Sequence, residues 1–384
     1  MKKLLLLIAI GLFIITSCIN KDSYHEKQSI LKYWESLDSS GFSVYLKGAI
    51  ERQTVFTKSI TADIETDEVA SLPKTDAADD PAIWVNQNNP EESLVLGTNK
   101  RGGIHVYNMS GDELQYVQSG CMNNIDLRDD FQYNGTDVVL VAASNCTKNT
   151  ITLFYIDKTT KLLSEPIMDI KSSVDLVYGL CMYKSPITNK YYIFVNGEGA
   201  DVEQWEIYTE NENIETNLVR NFKVSSKPEG MVVDDEEGVL YIGVEEEGIL
   251  KLKAEPEYEF ETVWLNGSNP TDRSFVSSDI EGLALYKTDS ITYLVASSQG
   301  NFSYAIFELG ETEKYLLSFV IDDGTIDGVI ETDGLEIVNV PLGDKFPKGM
   351  LVVQDGYNFD NDSIKKQNFK YISWQKIEKL IPKN

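Results

Sequence analysis

From residue 92 onward the chain repeats one pattern: an apolar run, a polar turn rich in Gly, Asn, Gln or Glu, and a second apolar run. It reads Ser-Leu-Val-Leu-Gly-Thr-Asn to Val106-Tyr107, then Val138 to Asn145 and on to Phe154-Tyr155, then Tyr192-Ile-Phe-Val-Asn-Gly to Trp205. It recurs as Leu240-Tyr-Ile-Gly to Leu250, as Tyr293 to Gly300 and on to Phe307, and as Leu351-Val-Val-Gln-Asp-Gly to a last strand near Tyr371. Short runs rich in β-branched and aromatic residues are strands, and almost no amphipathic helix lies between them. Six recurrences spaced by roughly 45 to 60 residues predict an all-β fold, a six-bladed β-propeller with four-stranded blades, rather than a pair of β-sandwich domains. No linker composition interrupts residues 76 to 384, so the propeller is read as one domain over 61–384. Trp374 to Ile381 is expected to follow the closing strand and end in a short helix.

The N-terminus follows a different pattern. Met1, Lys2 and Lys3 precede an apolar run from Leu4 to Ile15 and then Thr16-Ser17-Cys18, which reads as a lipoprotein signal peptide over 1–17 with Cys18 as the lipidated residue. The run falls short of the roughly 20 residues that span a bilayer. The expectation is an exported protein of the cell envelope, held to the membrane by a lipid anchor. Residues 18–60 read as a tether and a small leading segment, with helical periodicity around Ile30 to Leu37.

A formal net charge of -27 argues against nucleic acid as a partner. With two histidines, His25 and His105, zinc chemistry and a Ser-His-Asp triad are both disfavoured. Cys181 lies in the apolar run Gly-Leu-Cys-Met-Tyr and reads as a buried thiol, which leaves Cys121 and Cys146 as a candidate disulfide. The long apolar pattern offers no extended helix for self-association, so a monomer is expected.

Carboxylates carry the candidate chemistry. In Asp76-Ala-Ala-Asp-Asp-Pro-Ala-Ile-Trp three of them crowd a turn that Pro81 closes, just before a strand through Ile83 and Trp84. Further acidic turns stand at Glu229, at Glu245 to Glu247, at Asp279 and Glu281, and at Asp327, Glu331 and Asp333. In a propeller the innermost strands bring their ends to one channel mouth, so residues distant in sequence converge there. Carboxylates packed together repel unless a divalent ion lies between them, and hard oxygen donors point to calcium. Lys100, Arg101 and Arg128 lie beside these turns and suit an anionic ligand, phosphate above all.

These segments, in this order, resemble the β-propeller phytases, the calcium-dependent alkaline type. The likeness spans residues 61 to 384 and is carried by Asp76–Trp84, Asn123–Arg128, Glu229–Glu236, Asp279–Leu283, Ala296–Phe307 and Gln354–Asn358. It implies a phosphoric monoester hydrolase of the 3-phytase type that acts on phytate, myo-inositol hexakisphosphate, releasing orthophosphate. It implies several calcium ions and a metal-bridging water that attacks phosphorus, with a neighbouring site for an adjacent phosphate. Carried over by position, Glu229, Asp279, Glu281 and Asp333, with Tyr178 and Glu245, form the cleavage site; Lys100, Arg101, Arg128 and Gln299 bind substrate. Asp79, Asp80 and Asp327, with Glu65, Asp355 and Asn358, hold other calcium ions.

The chain departs from the family pattern at Cys146 and Glu198, where a basic residue is usual, and at Val244, where an acidic one is frequent. Each missing charge-assisted contact to phosphate costs about 1.5 to 3 kcal/mol. The alternative reading is therefore a calcium-binding propeller that serves as a surface module for phosphorylated or anionic ligands. A lactonase-like hydrolase is disfavoured by the Lys100-Arg101 pair.

Overall fold

Six small antiparallel sheets follow one another along the chain and form a six-bladed propeller. The computed structural model describes residues 42–382 apart from 74, 259, 270–278 and 361–362. The signal peptide, Cys18 and the periodicity around Ile30 to Leu37 lie outside the described residues.

The inner strands of the blades are Ala78–Trp84, Met122–Tyr133, Val177–Lys184, Pro228–Asp234, Ile280–Lys287 and Leu335–Val338. Each pairs with a second strand, and these second strands, Leu94–Asn99, Thr136–Asn145, Tyr191–Gly197, Val239–Val244, Thr292–Ser298 and Met350–Asp355, are the first apolar runs of the six repeats. All six repeats read from the sequence therefore fall on successive blades. The second strands are buried along nearly their whole length because both faces are covered by neighbouring blades, which is why they read as continuous apolar runs.

Six apolar clusters fill the gaps between successive blades. Trp84 and Phe154 pack between the first and second, for example, and Phe194 and Met231 between the third and fourth. Tyr107 and Phe369 join the sixth blade to the first.

Ring closure differs from the sequence expectation. The last strand, Asn368–Ser373, does not lie at the outer edge; Ile64–Glu65 from the start of the chain pairs outside it, with Ile64 opposite Tyr371 and Glu65 opposite Lys370. Ser59–Thr61 likewise runs parallel to Lys314–Asp322 on the fifth blade. Strands of two or three residues carry no readable period, so the sequence pattern missed them. After the last strand, helix α2, Trp374–Glu378, seats Trp374 against Tyr286 with ring centroids 3.7 Å apart.

Another helix, α1, Phe42–Gln53, precedes the blades. It buries Leu46, Ala49 and Ile50 against Phe302, Ile330, Tyr357 and Phe359. Arg52 donates from Nε to the Gly300 carbonyl at 2.8 Å, and Gln53 Nε2 donates to the Phe302 carbonyl at 3.1 Å. Over these residues the stretch read as a tether and a small leading segment packs against the propeller.

Cys121 and Cys146 form a disulfide between the start of the second blade and the turn after its second strand. Cys181 is a buried free thiol.

Candidate active site at the channel mouth

A repeated irregularity builds the mouth. In five blades the pairing of the inner strand with the second strand skips two residues, leaving Asp79-Asp80, Asn123-Asn124, Tyr178-Gly179, Glu229-Gly230 and Glu281-Gly282 as bulged dipeptides. The first carboxylate pair thus lies within the strand Ala78–Trp84, not in a turn before it. Asp333-Gly334 takes the equivalent place ahead of the sixth inner strand: Gly282 N donates to Asp333 O at 3.2 Å, and Gly334 N donates to Asp79 O at 3.1 Å. The glycines are required by close approach. A Cβ at Gly179 would lie 1.9 Å from Glu229 O, and one at Gly230 would lie 1.7 Å from Glu281 O. Each blade's backbone therefore presses on the next, and the residue before the glycine is delivered to a shared ring.

Ligand atoms of Glu229, Glu245 and Glu281 all lie within 4.8 Å of one another. Glu229 is 3% exposed, and its Oε2 has no hydrogen-bond partner. Burial pushes the Glu229 carboxyl up to about 7, and burial with the Glu229 charge holds Glu281 well above the usual range. Burial raises Asp333 too, against the pull of Lys100. Across the ring, Lys100 Nζ lies 2.8 Å from Asp76, 2.9 Å from Asp79 and 3.2 Å from Asp333. Its own burial opposes its charge, yet these three carboxylates hold its pKa well above normal.

Gln299 Nε2 donates to Asp333 Oδ1, and its backbone N donates to Asp279 O at 2.9 Å. Asp279 adopts φ 65, the left-handed region, at the point where the chain enters the fifth inner strand. Tyr178 lies beneath Lys227, whose Nζ is 4.3 Å from the ring centroid and 2.7 Å from Glu245 Oε1. Burial, then the Glu229 and Glu281 charges, raise the Tyr178 phenol and keep it protonated.

The ring thus brings together Tyr178, Glu229, Glu245, Asp279, Glu281, Asp333, Lys100, Gln299 and Asp79. Three other groups fall elsewhere. Asp80 turns into the channel, where its Oδ2 accepts from Ile125 N at 3.0 Å. Arg128, read as a phosphate ligand, is further along the second inner strand: its guanidinium donates to Asp235 and Asp126 at 2.8 Å and to the Met182 carbonyl at 2.6 Å. Glu65, Asp327 and Asp355 meet at the edge of the sixth blade around Lys370, which is fully buried. Lys370 Nζ lies 2.7 Å from Glu65, touches Asp327 and is 3.6 Å from Asp355. Asn358 sits beside them and donates to the Lys366 carbonyl at 2.9 Å. One ammonium among three carboxylates leaves this cluster negatively charged.

Arg101 is exposed and donates to the Asp76 carbonyl at 2.8 Å. Of the departures, Cys146 is held in the disulfide, Glu198 is exposed, and Val244 is buried in the apolar cluster between the third and fourth blades. Sequence reasoning missed Tyr45 and Lys227. Tyr45, on α1, places its hydroxyl 3.4 Å from Asp279 Oδ2 and from Gln299 Oε1, and nothing in the stretch read as a tether and leading segment signalled it. Lys227 had a signal, as a cation two residues before Glu229 in Lys-Pro-Glu-Gly.

The residues fit a cation. A buried carboxylate oxygen without a partner, close to two other carboxylates, is the donor set that a hard divalent ion satisfies.

Comparison with known proteins bears on the family. The phytase family model matches residues 36–383. A 3-phytase of Bacillus subtilis (strain 168) is 42% identical over 331 residues, covering 83% of this chain and 84% of that protein. An auxiliary nutrient binding protein from Bacteroides thetaiotaomicron VPI-5482 is 11% identical, covers 81% of this chain and 76% of its own, and has a TM-score of 0.49. Another such protein, from Bacteroides ovatus ATCC 8483, is 10% identical, with 82% and 77% covered and a TM-score of 0.49; neither likeness bears on chemistry. The match to the family model over nearly the whole chain, with the 3-phytase relative beside it, shows that the chain belongs to the phytase family.

Proposed function

We propose that the chain removes phosphate from phytate with calcium held at the channel mouth by Glu229, Glu245, Glu281, Asp279 and Asp333. As a member of the phytase family it is a phosphoric monoester hydrolase that acts on phytate. The observation that carries the calcium reading is Glu229 Oε2, buried without a hydrogen-bond partner beside Glu245 and Glu281. A ring of carboxylates repels a polyanionic substrate, so a cation between them is needed before it can bind. Calcium in that place would neutralise phosphoryl oxygens and lower the pKa of the attacking water.

The side chains supply the positioning. Lys100 fixes Asp79 and Asp333 on one side of the ring, and Gln299 orients Asp333. Tyr178, kept protonated, has a phenolic proton to give to a phosphate oxygen. Lys100 and Arg101 offer positive charge for a phosphate next to the one removed. Further calcium ions are proposed at Asp80 in the channel and at Glu65, Asp327, Asp355 and Asn358, where the carboxylates outnumber Lys370.

The protein is further proposed to act as a monomer in the cell envelope, lipid-anchored through Cys18; the Cys121–Cys146 disulfide suits an exported protein. Phosphate release from phytate by the purified protein tests the main reading. Release is expected in calcium, is lost in excess chelator and returns when calcium is restored; release undiminished in chelator would overturn the calcium assignment.

A further inference from the structure

We infer that Lys227 is a substrate-binding residue of the mouth, its ammonium taking an oxygen of a phosphate ester beside Tyr178. The inference rests on the phytate-hydrolase reading and adds a cation on the side of the ring opposite Lys100. At the positions where the resemblance called for basic residues, Cys146 is covalently tied to Cys121, and Glu198 is an exposed acid whose N–H bonds the Asp175 carbonyl at 3.1 Å. Those side chains bring no positive charge.

Lys227 is built into the mouth. Its carbonyl accepts from Glu245 N at 3.1 Å, and Pro228 follows it, so its backbone is fixed at the entrance to the fourth blade. Its Nζ lies 2.7 Å from Glu245 Oε1 and 4.3 Å from the Tyr178 ring centroid, while the side chain keeps 35% of its surface exposed. The ammonium therefore stands at the solvent-facing rim, beside the carboxylates proposed to hold calcium. Were Glu245 to hold a divalent ion, the ammonium would give up its carboxylate partner and would be free to take a phosphate oxygen beside Tyr178. A lysine serves here as a compact point charge with three donors.

The bland alternative is that Lys227 only orients Glu245. The two differ in sign for calcium: removing an orienting lysine weakens calcium binding, whereas removing a lysine that competes for Glu245 leaves it unchanged or tighter. Calorimetric titration of wild type, Lys227→Gln and Lys227→Arg, first with calcium and then with phytate at saturating calcium, separates them. Lys227→Gln is expected to weaken phytate binding and raise its KM about tenfold, with kcat little changed, calcium affinity not reduced and Lys227→Arg close to wild type. Phytate affinity within about twofold of wild type, or weakened calcium binding in Lys227→Gln, overturns the inference. Should wild type bind phytate without releasing phosphate, the hydrolase reading fails while the comparison of affinities still decides the role of Lys227; should it bind none, both fail.

Discussion

At the scale of the residue, the mouth is a place where charge is held against its own preference. Glu229, Glu281 and Asp333 are buried near one another, and burial raises all three. A carboxyl whose folded pKa is raised binds its proton more tightly in the folded state, so its stabilising contribution is complete below the ordinary carboxylate range and is lost as pH climbs through the folded value. For the protein in chelator that window ends near about 7 at Glu229 and about 8 at Glu331. His105, held low by burial, works in the other direction, but it is one group against many. Asp130 and Asp157 are held low and stay ionised throughout the window. Thermal melts in chelator should therefore show a lower Tm at about pH 8 than at about pH 5, and calcium should flatten the slope by binding the ionised form. A metal-free Tm that rises over that interval would contradict this account of the buried carboxylates. Most of these residues were legible in the sequence as acidic turns. Arg128 read as a phosphate ligand because it is a cation near the first acidic turn, and in the structure Asp126 and Asp235 engage it.

At the scale of the element, five of the six inner strands are regular enough to pair and irregular enough to leave two residues each out of the pairing. Their second strands announced themselves as apolar runs because both faces are covered, so the blade count followed from the pattern alone. The bulges did not, since a skipped pair in the register leaves no periodic trace; only the recurring acid-glycine dipeptides hinted at them. In Gly230→Ala the new Cβ would meet Glu281 O at 1.7 Å, so the fourth and fifth blades would have to shift at the mouth. Overpacking of this kind costs about 3 kcal/mol. Urea unfolding should show that loss, together with activity reduced beyond what the fraction folded explains; a variant with wild-type stability would mean that the blades are looser at the mouth than the close approach implies. Helix α1 was the element least legible in advance. Its apolar side, Leu46, Ala49 and Ile50, is short, and what it packs against, Phe302, Ile330, Tyr357 and Phe359, comes from the far end of the chain. Through Tyr45 it extends to Asp279 and Gln299, so the segment ahead of the propeller reaches the site.

At the scale of the whole molecule, ring closure joins the two ends of the described chain. Glu65 lies on the strand that completes the sixth blade and pairs with the buried Lys370 of the strand beside it, so the start and end of the propeller are linked by backbone pairing and by charge. The same closure holds the sixth blade against the first, where Asp333-Gly334 meets Asp79 and finishes the ring of carboxylates. A net charge of -27 is spread over a body whose densest negative groups face one another, which is an arrangement that calls for bound cations. The convergence of Glu229, Glu281 and Asp333 on one mouth could be anticipated from the propeller geometry, and that of Tyr178 from the resemblance. It was the resemblance, and not the acidic pattern, that set Asp80, Asp327 and Asp355 apart from that mouth, because their separation depends on which way each bulge and loop turns. The central claim is that the mouth carboxylates bind calcium, and calcium titration by calorimetry of wild type against Glu229→Gln tests it most directly. Wild type should show a class of sites that Glu229→Gln lacks or binds at least about tenfold more weakly, with phytate hydrolysis lost in parallel; identical calcium isotherms for the two proteins would contradict the account.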